Sequence, residues 1–335
     1  MVTIIDIALE ANVSTGTVSR AINGEKGMSA ETRERILSIA RRLDYHPNLQ
    51  ARGLVAKQPN AIGIVIPQTA DFALSNPYYT EILKGIEGKA KERGLYLVLS
   101  FSRDESYARI YQNRLAAGII VLANRINDRW VDEVYRMKVP LVLIPGDPNR
   151  KRIPSVDQDN ADGCFQAVNY LFAMGHRRIA FFNGPADSKY SIDRFLGYQR
   201  AMEKHQLPIQ NELIQNSDFS QQGGYEGMRK LLARKNPPTA FLIINDYSAI
   251  GALRVAKEMG FRVPEDISII GSGDIPFASM VDPPLTTIHA PYHALGQRAV
   301  EMLLQIIRGK RLSPRHQTLP VELVVRKSTS RCALR

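Results

Sequence analysis

The sequence predicts an α/β protein: an N-terminal all-α helix-turn-helix headpiece followed by a two-lobed, doubly wound parallel-sheet body. Three observations carry that reading. Residues 1–45 hold three capped helical patterns and no strand-like run. From residue 61 onward, short and fully apolar runs alternate with helical segments, the pattern of parallel strands covered on both faces by crossover helices. The chain of 335 residues is long enough for two or three packed units.

In the headpiece, Thr3 and Asp6 form a capping-box variant that opens a helix from Ile4 to about Glu10. Ala11-Asn12-Val13 is a tight turn. Ser14 caps a second helix, Thr15 to about Ile22, and Ser29 caps a third, Ala30 to Leu43, whose apolar stripe is Ile36, Ile39, Ala40 and Leu43. Two short helices joined by so brief a turn make a helix-turn-helix, whose second helix can enter a major groove. With Val13, Val18 and Ile22 turned toward the first helix, Thr15, Gly16, Ser19 and Arg20 face outward. Arg can take guanine in bidentate fashion, and Thr offers a hydroxyl or a methyl to a base. The Ser14 and Ser19 hydroxyls and the amides at the helix start suit phosphate oxygens. Tyr45-His46-Pro47 stops the third helix, because Pro disfavours helical backbone before it. Asn48 to Val55 reads as one or two helical turns capped by Asn48, too short to stand alone and weakened by Gly53. Ala56 to Asn60 reads as a linker.

In the body, strand-like runs fall at 62–66, 95–99, 118–122, 141–144, 179–182, 240–244 and 267–270, with helices near 77–93, 128–137, 160–173, 191–205, 222–233 and 247–259. Ligands of such sheets bind beyond the carboxyl ends of the strands, so the polar residues just after each strand are the ones to weigh.

Composition narrows the function. Apolar residues at 44% and charged residues at 23% describe an ordinary globular chain and argue against a disordered or fibrous one. The formal charge of +11 is compatible with a polyanionic partner. Yet residues 1–60 carry a net of only +2 and residues 308–335 a net of +7, so a DNA-binding reading of the headpiece rests on pattern rather than charge. Cys164 and Cys332 fit neither a disulfide framework nor a zinc spacing. No apolar run reaches the ~18 residues of a membrane span, and Asp6 and Glu10 stand where a secretory leader would be basic and then apolar. A cytoplasmic protein, on the nucleoid when bound to DNA, is expected. His289 and His293 have helical metal-ligand spacing, but Pro291 between them breaks the helix, so no metal is expected. No Walker loop, nucleophile elbow or dinucleotide fingerprint is present; neither a cofactor nor a catalytic residue is expected, and the chain does not read as an enzyme.

Residues 1–57 resemble the DNA-binding headpiece of the lactose-repressor/galactose-repressor (LacI/GalR) family. The carrying residues are Thr3-Ile-Ile-Asp-Ile-Ala8, Val13-Ser14, Thr17-Val-Ser-Arg20, Asn23-Gly24, Thr32-Arg33, Tyr45, Pro47-Asn48 and Ala51-Arg-Gly-Leu54. The resemblance continues through Asn245-Asp246, Val263-Pro-Glu-Asp-Ile-Ser268 and Pro284-Leu-Thr-Thr-Ile288 to about residue 329. It implies a body of periplasmic-binding-protein type and these boundaries: headpiece 1–46, hinge helix and linker 47–60, effector-binding and dimerisation body 61–329, tail 330–335. Lobe one takes about 61–160 and 291–318, lobe two about 161–290 and 319–329.

The resemblance also implies roles. Thr15, Gly16 and Arg20 match base-reading positions; Gly16 brings no side chain, so Thr15 and Arg20 bear most of the reading. The hinge, with Asn48, Ala51, Arg52, Leu54 and Val55, becomes helical on specific DNA. There Leu54 from each of two subunits wedges into the central base step from the minor groove, a device that costs a few kcal/mol of unstacking and gains a bent, better-contacted duplex. A small effector, usually a sugar or sugar derivative, occupies the cleft between lobes. Tyr78 and Tyr79 supply rings, Arg194 a multi-donor group, Phe219 a stacking face, and Asn245 and Asp246 polar contacts. Three departures stand out. Gly271-Ser272-Gly273-Asp274 puts Gly273 where many members have an acid, leaving Asp274 to take over by a shift of register. Ile144 replaces an acid used by some members. The stretch from Phe101 to Ala117 is shorter than usual, so its helix is trimmed. The short tail has no room for a leucine-heptad tetramerisation helix, so a homodimer is expected, acting as a repressor on a pseudo-palindromic operator. Two other readings share the two-lobed body: a solute-binding protein of the transport class, opposed by the headpiece, and an enzyme acting on a phosphorylated metabolite, for which no nucleophile, base and orienter trio is evident.

Overall fold

The computed structural model describes residues 2–22, 24, 27–45, 59–101, 104–122 and 125–333. The chain divides into two units, Met1–Pro59 and Asn60–Arg335. Asn23 and the hinge residues Asn48, Ala51, Arg52, Leu54 and Val55 lie outside the described residues.

The first unit holds α1 (Ile4–Glu10), α2 (Thr15–Ile22) and α3 (Ala30–Arg42). Each begins where a side chain satisfies an orphan helix group. The Thr3 backbone N–H and hydroxyl donate to Asp6 Oδ2 at 2.7 and 2.8 Å, and the Thr32 N–H donates to Ser29 Oγ at 3.1 Å. Asn12 turns the chain with a φ of +50°, a conformation Asn tolerates better than most residues. Ile7, Val18 and Ile36 are completely buried, one from each helix, with Ala11, Ala21, Ile39 and Ala40 around them.

The second unit has two six-stranded sheets. The strands and helices of its first half are β1 (Ala61–Ile66), α4 (Ala70–Ser75), α5 (Pro77–Glu92), β2 (Tyr96–Phe101), α6 (Arg109–Gln112), β3 (Ile119–Val121), α7 (Arg129–Arg136), β4 (Leu141–Leu143) and β5 (Ser155–Gln158). Then come α8 (Asn160–Ala173), β6 (Ile179–Asn183), α9 (Lys189–Lys204), β7 (Ile214–Asn216), α10 (Gln221–Leu232), β8 (Ala240–Ile243), α11 (Asp246–Glu258), β9 (Ser268–Gly273), β10 (Thr286–His289), α12 (Tyr292–Ile307), β11 (His316–Leu319) and β12 (Glu322–Val324). Sheet one runs β11-β5-β4-β3-β1-β2, all parallel, and sheet two β12-β10-β9-β8-β6-β7, parallel except for β12. The chain passes between the sheets three times: after β5, after β10 and after β11.

The central strands of each sheet are apolar and covered on both faces. Along β1, Ile62, Ile64 and Ile66 pack beneath α5 and α12, whereas Val65 joins Ile119, Val121 and Leu141 on the other side. In sheet two, Phe182, Phe241 and Ile269 face one core, and Phe181, Leu242 and Ile270 the other. This double cover explains runs without polar alternation.

Strands β5, β7, β10, β11 and β12 and helices α4 and α12 lie outside the sequence reading, and α9 is shifted from it. β5 carries no long apolar run, since Ser155, Asp157 and Gln158 are buried polar residues. The short α4, capped by the Thr69 side chain, interrupts a stretch read as loop. α9 starts at Lys189, earlier than expected, because Ser188 accepts from the Ser191 N–H. The helix between β2 and β3 is indeed brief, Arg109–Gln112.

Candidate functional site

The first unit presents a polar face on α2. Ser14 Oγ accepts from the Thr17 N–H at 3.1 Å and shares a 2.9 Å hydrogen bond with Thr17 Oγ1, which fixes the helix start. Val18 and Ala21 point into the core. Ser14, Thr15, Gly16 and Arg20 are exposed, and Thr17 and Ser19 half-buried. Arg20 donates to Gly16 O and Thr17 Oγ1 at 3.4 Å each, long bonds that a base edge or phosphate can replace at small cost.

The second unit holds a cavity of about 370 Å³ between its lobes, within the usual size range of small-molecule sites. Loops at the carboxyl ends of strands build much of it: Gln68 after β1, Arg125 after β3, Pro185 after β6, Asp218 and Phe219 after β7, Asn245 after β8. Helical residues complete it: Phe72 on α4, Asn76, Tyr78 and Tyr79 at the start of α5, Ser188, Tyr190 and Arg194 at the start of α9, and Tyr292 opening α12. Parallel strands all point their carboxyl ends to one edge, so residues distant in sequence converge there.

Of the effector residues read from sequence, Tyr78, Tyr79, Arg194, Phe219 and Asn245 line this cavity. Tyr78 of lobe one meets Tyr190 of lobe two edge-on, with ring centroids 5.7 Å apart and hydroxyls 3.3 Å apart; Tyr292 stands 5.3 Å away. Burial raises the Tyr78 and Tyr190 hydroxyls well above their ordinary range and Tyr292 to about 12, so all three remain neutral hydrogen-bonding groups. Phe219 sits at a φ of +69°, strained for a bulky side chain and typical of functional positions. Two features hold it there. Asn245 Nδ2 donates to the Phe219 carbonyl at 3.1 Å, and Gly184 leaves room for the ring, since a Cβ there would lie 2.5 Å from it. Asn245 Oδ1 meanwhile caps α11 by accepting from the Ser248 N–H at 2.6 Å.

Asp246 and Asp274, expected among the effector contacts, are not among the residues that line the cavity. Asp246 is completely buried; its carboxylate accepts from the Thr287 hydroxyl and from the Ile275 N–H. Burial lifts its pKa to about 6 against those bonds. Asp274 takes Arg326 Nη2 at 2.6 Å and faces His289 Nδ1 at 3.0 Å, so its oxygens are engaged within the second sheet's half of the body. Gln68, Thr69, Phe72, Arg125, Asp187, Asp218, Tyr190 and Tyr292 line the cavity without having been singled out. Their one signal in the sequence was position just after a strand or at a helix start.

His289 ends β10 whereas His293 lies in α12, so the pair shares no helix, and no metal-binding cluster occurs among the described residues. No helix among them is long and apolar enough to cross a membrane.

A capped helix-turn-helix with a polar outer face, together with a ligand-sized cleft between two doubly wound lobes, defines a DNA-binding regulator that answers to a small molecule. Comparison with known proteins agrees. Residues 3–48 match the lacI family of bacterial regulatory proteins, and residues 168–329 match a periplasmic binding protein-like domain. The chain is 33% identical to Catabolite control protein A of Priestia megaterium over 334 residues, covering 98% of this chain and 99% of that one. It is 33% identical to the HTH-type transcriptional repressor CytR of Escherichia coli (strain K12) over 330 residues, 97% of this chain and 95% of the relative. Among solved structures, the Lac repressor dimer bound to operator and the anti-inducer ONPF matches with a TM-score of 0.87 at 31% identity, covering 98% of this chain and 99% of that one. The CelR–cellobiose complex matches at 0.74 and 30% identity, covering 98% and 100%. The protein belongs to the LacI family of bacterial transcriptional regulators.

Proposed function

We propose that the protein represses transcription by binding a pseudo-palindromic operator as a homodimer, and that a small polyhydroxylated effector in the interlobe cleft sets its affinity for that operator. The observation that carries the DNA reading is the outward row on α2 from Ser14 to Arg20, opposite the buried Val18 and Ala21. In this reading Thr15 and Arg20 meet base edges, and Ser14, Thr17, Ser19 and Asn23 meet the backbone. Gly16 lets the helix approach closely. Asn48, Ala51, Arg52 and Val55 form the hinge around the Leu54 wedge.

The cleft residues Tyr78, Tyr79, Arg194, Phe219 and Asn245 form the effector site. Asn245 acts mainly by holding Phe219. An effector shifts the balance between lobe arrangements only by its differential affinity for them; moving it from 1:99 to 99:1 takes ~5.5 kcal/mol. The test is selection of operators from random duplexes with the purified protein. Enrichment of an inverted repeat, bound at two chains per duplex, supports the reading. Binding without sequence preference, or at one chain per duplex, overturns it.

A further inference from the structure

An arginine guanidinium keeps its charge at every physiological pH, so burying one without an anion carries a penalty. Arg194 is 3% exposed and lines the cleft. Its Nε has no hydrogen-bond partner, and it makes no ion pair among the described residues. Its neighbours are neutral: the Tyr292 hydroxyl, to which it is hydrogen-bonded, and the Tyr190 ring, 5.3 Å from the guanidinium carbon.

The acids of this region are committed elsewhere. Asp157 pairs with Lys189 at 3.1 Å, and Asp193 pairs with the same lysine. Asp187 pairs with Arg125 at 3.3 Å. Asp218 accepts from the Ser220 N–H and hydroxyl, and Asp246 is held by Thr287 and Ile275. Arg194 thus carries a buried positive charge in the cleft with no direct ion pair among the described residues.

We propose that the effector is an acid: a monosaccharide-sized polyol or sugar derivative bearing one carboxylate, which sits on the Arg194 guanidinium while its carbon skeleton lies against Phe219 and Tyr78. This rests on the cleft being the effector site. A single charge fits better than a phosphate ester, which carries about −1.5 to −2 at neutral pH. The helix starts that could share such a load are already capped: Ser188 takes the Ser191 N–H at 3.3 Å, Thr69 the Phe72 N–H at 3.4 Å, and Asn76 the Tyr78 N–H at 3.0 Å.

The experiment uses the full chain and matched ligands: glucose, glucuronate, gluconate and glucose 6-phosphate, with the corresponding galactose series. Melting temperature and calorimetric affinity are read for each. At least one carboxylate member is expected to bind tenfold or more tightly than its neutral parent and to weaken as NaCl is raised. Arg194→Gln is expected to lose at least tenfold toward that acid. Arg194→Met, similar in volume and uncharged, is expected to leave the melting temperature of the unliganded protein unchanged or higher, because it removes an unbalanced charge.

Neutral sugars binding more tightly than their acids would overturn the acid class but leave the cleft as effector site. Tighter binding of the 6-phosphates would overturn the single charge. Silence from every acid, or a marked fall in melting temperature for unliganded Arg194→Met, would overturn the proposal outright. Acid binding that survives both Arg194→Gln and Phe219→Ala would instead remove the cleft from the effector reading.

Discussion

In the headpiece, the described residues proposed to meet DNA lie in one stretch, Ser14 to Arg20, on a single helix face. In the body the residues that line the cavity come from loops and helix starts as far apart as Gln68 and Tyr292, and several are buried. The first arrangement depends on local capping and one small core. The second depends on two sheets bringing strand ends to a common edge. A local site should therefore tolerate damage elsewhere in the protein, whereas a convergent site should be sensitive to distant packing.

The strongest way to break this contrast is Gly85→Leu. A Cβ at Gly85 would lie 2.0 Å from the His293 carbonyl oxygen, so α5 and α12 would have to separate. A loss of roughly 3 kcal/mol or more is expected for the body in urea unfolding, with loss of effector response. Near-native stability would show that the convergent site does not need that close packing. Next is Arg20→Ala, expected to cost about 1–3 kcal/mol of operator affinity and to relax selectivity at one base pair. Competition binding against single-base operator variants reads this; uniform weakening across all sequences would make Arg20 a phosphate contact. Ser29→Ala should cost the headpiece about 1 kcal/mol by removing the cap of α3. Hydrogen exchange of the Thr32 amide should speed up while body amides are unaffected.

The smallest effect is a pH contrast. Contacts from Thr3, its backbone N–H foremost, hold the Asp6 carboxyl below its ordinary value. Its contribution to headpiece stability is present above the unfolded-state pKa and is lost as pH falls through the lower folded value. Asp246 runs the other way: burial raises it from 3.8 to about 6, so the fold binds its proton more tightly than the unfolded chain does. Body stability should decline as pH rises from about 4 to about 6 and the carboxylate ionises in place. Asp246→Asn should flatten that decline, and Asp6→Asn the opposite slope in the headpiece, both measured by denaturant unfolding across pH 3 to 7. A body slope unchanged in Asp246→Asn would assign it to another group.

Reading the sequence was most effective where a signal is local. Thr3, Ser14 and Ser29 marked helix starts because an orphan amide is satisfied within three residues, and Ile62 to Ile66 marked a strand because burial on both faces leaves no polar alternation. β5 escaped notice because Ser155, Asp157 and Gln158 are polar in a buried strand; Asp157 finds Lys189 on α9, a partner the linear sequence does not place.

The same division holds for the site. The order of residues by itself determined the headpiece helices, the alternation that makes two doubly wound lobes and the candidacy of Tyr78, and the family resemblance added Arg194 and Phe219. Only the tertiary structure decided that Asp246 and Asp274 spend their oxygens inside lobe two, that Tyr190 and Tyr292 close around Tyr78, and that Arg194 is left without an anion. The reason is physical. Capping and periodicity act over a few residues and are written in order along the chain, whereas the balance of a buried charge depends on every group the fold brings within reach.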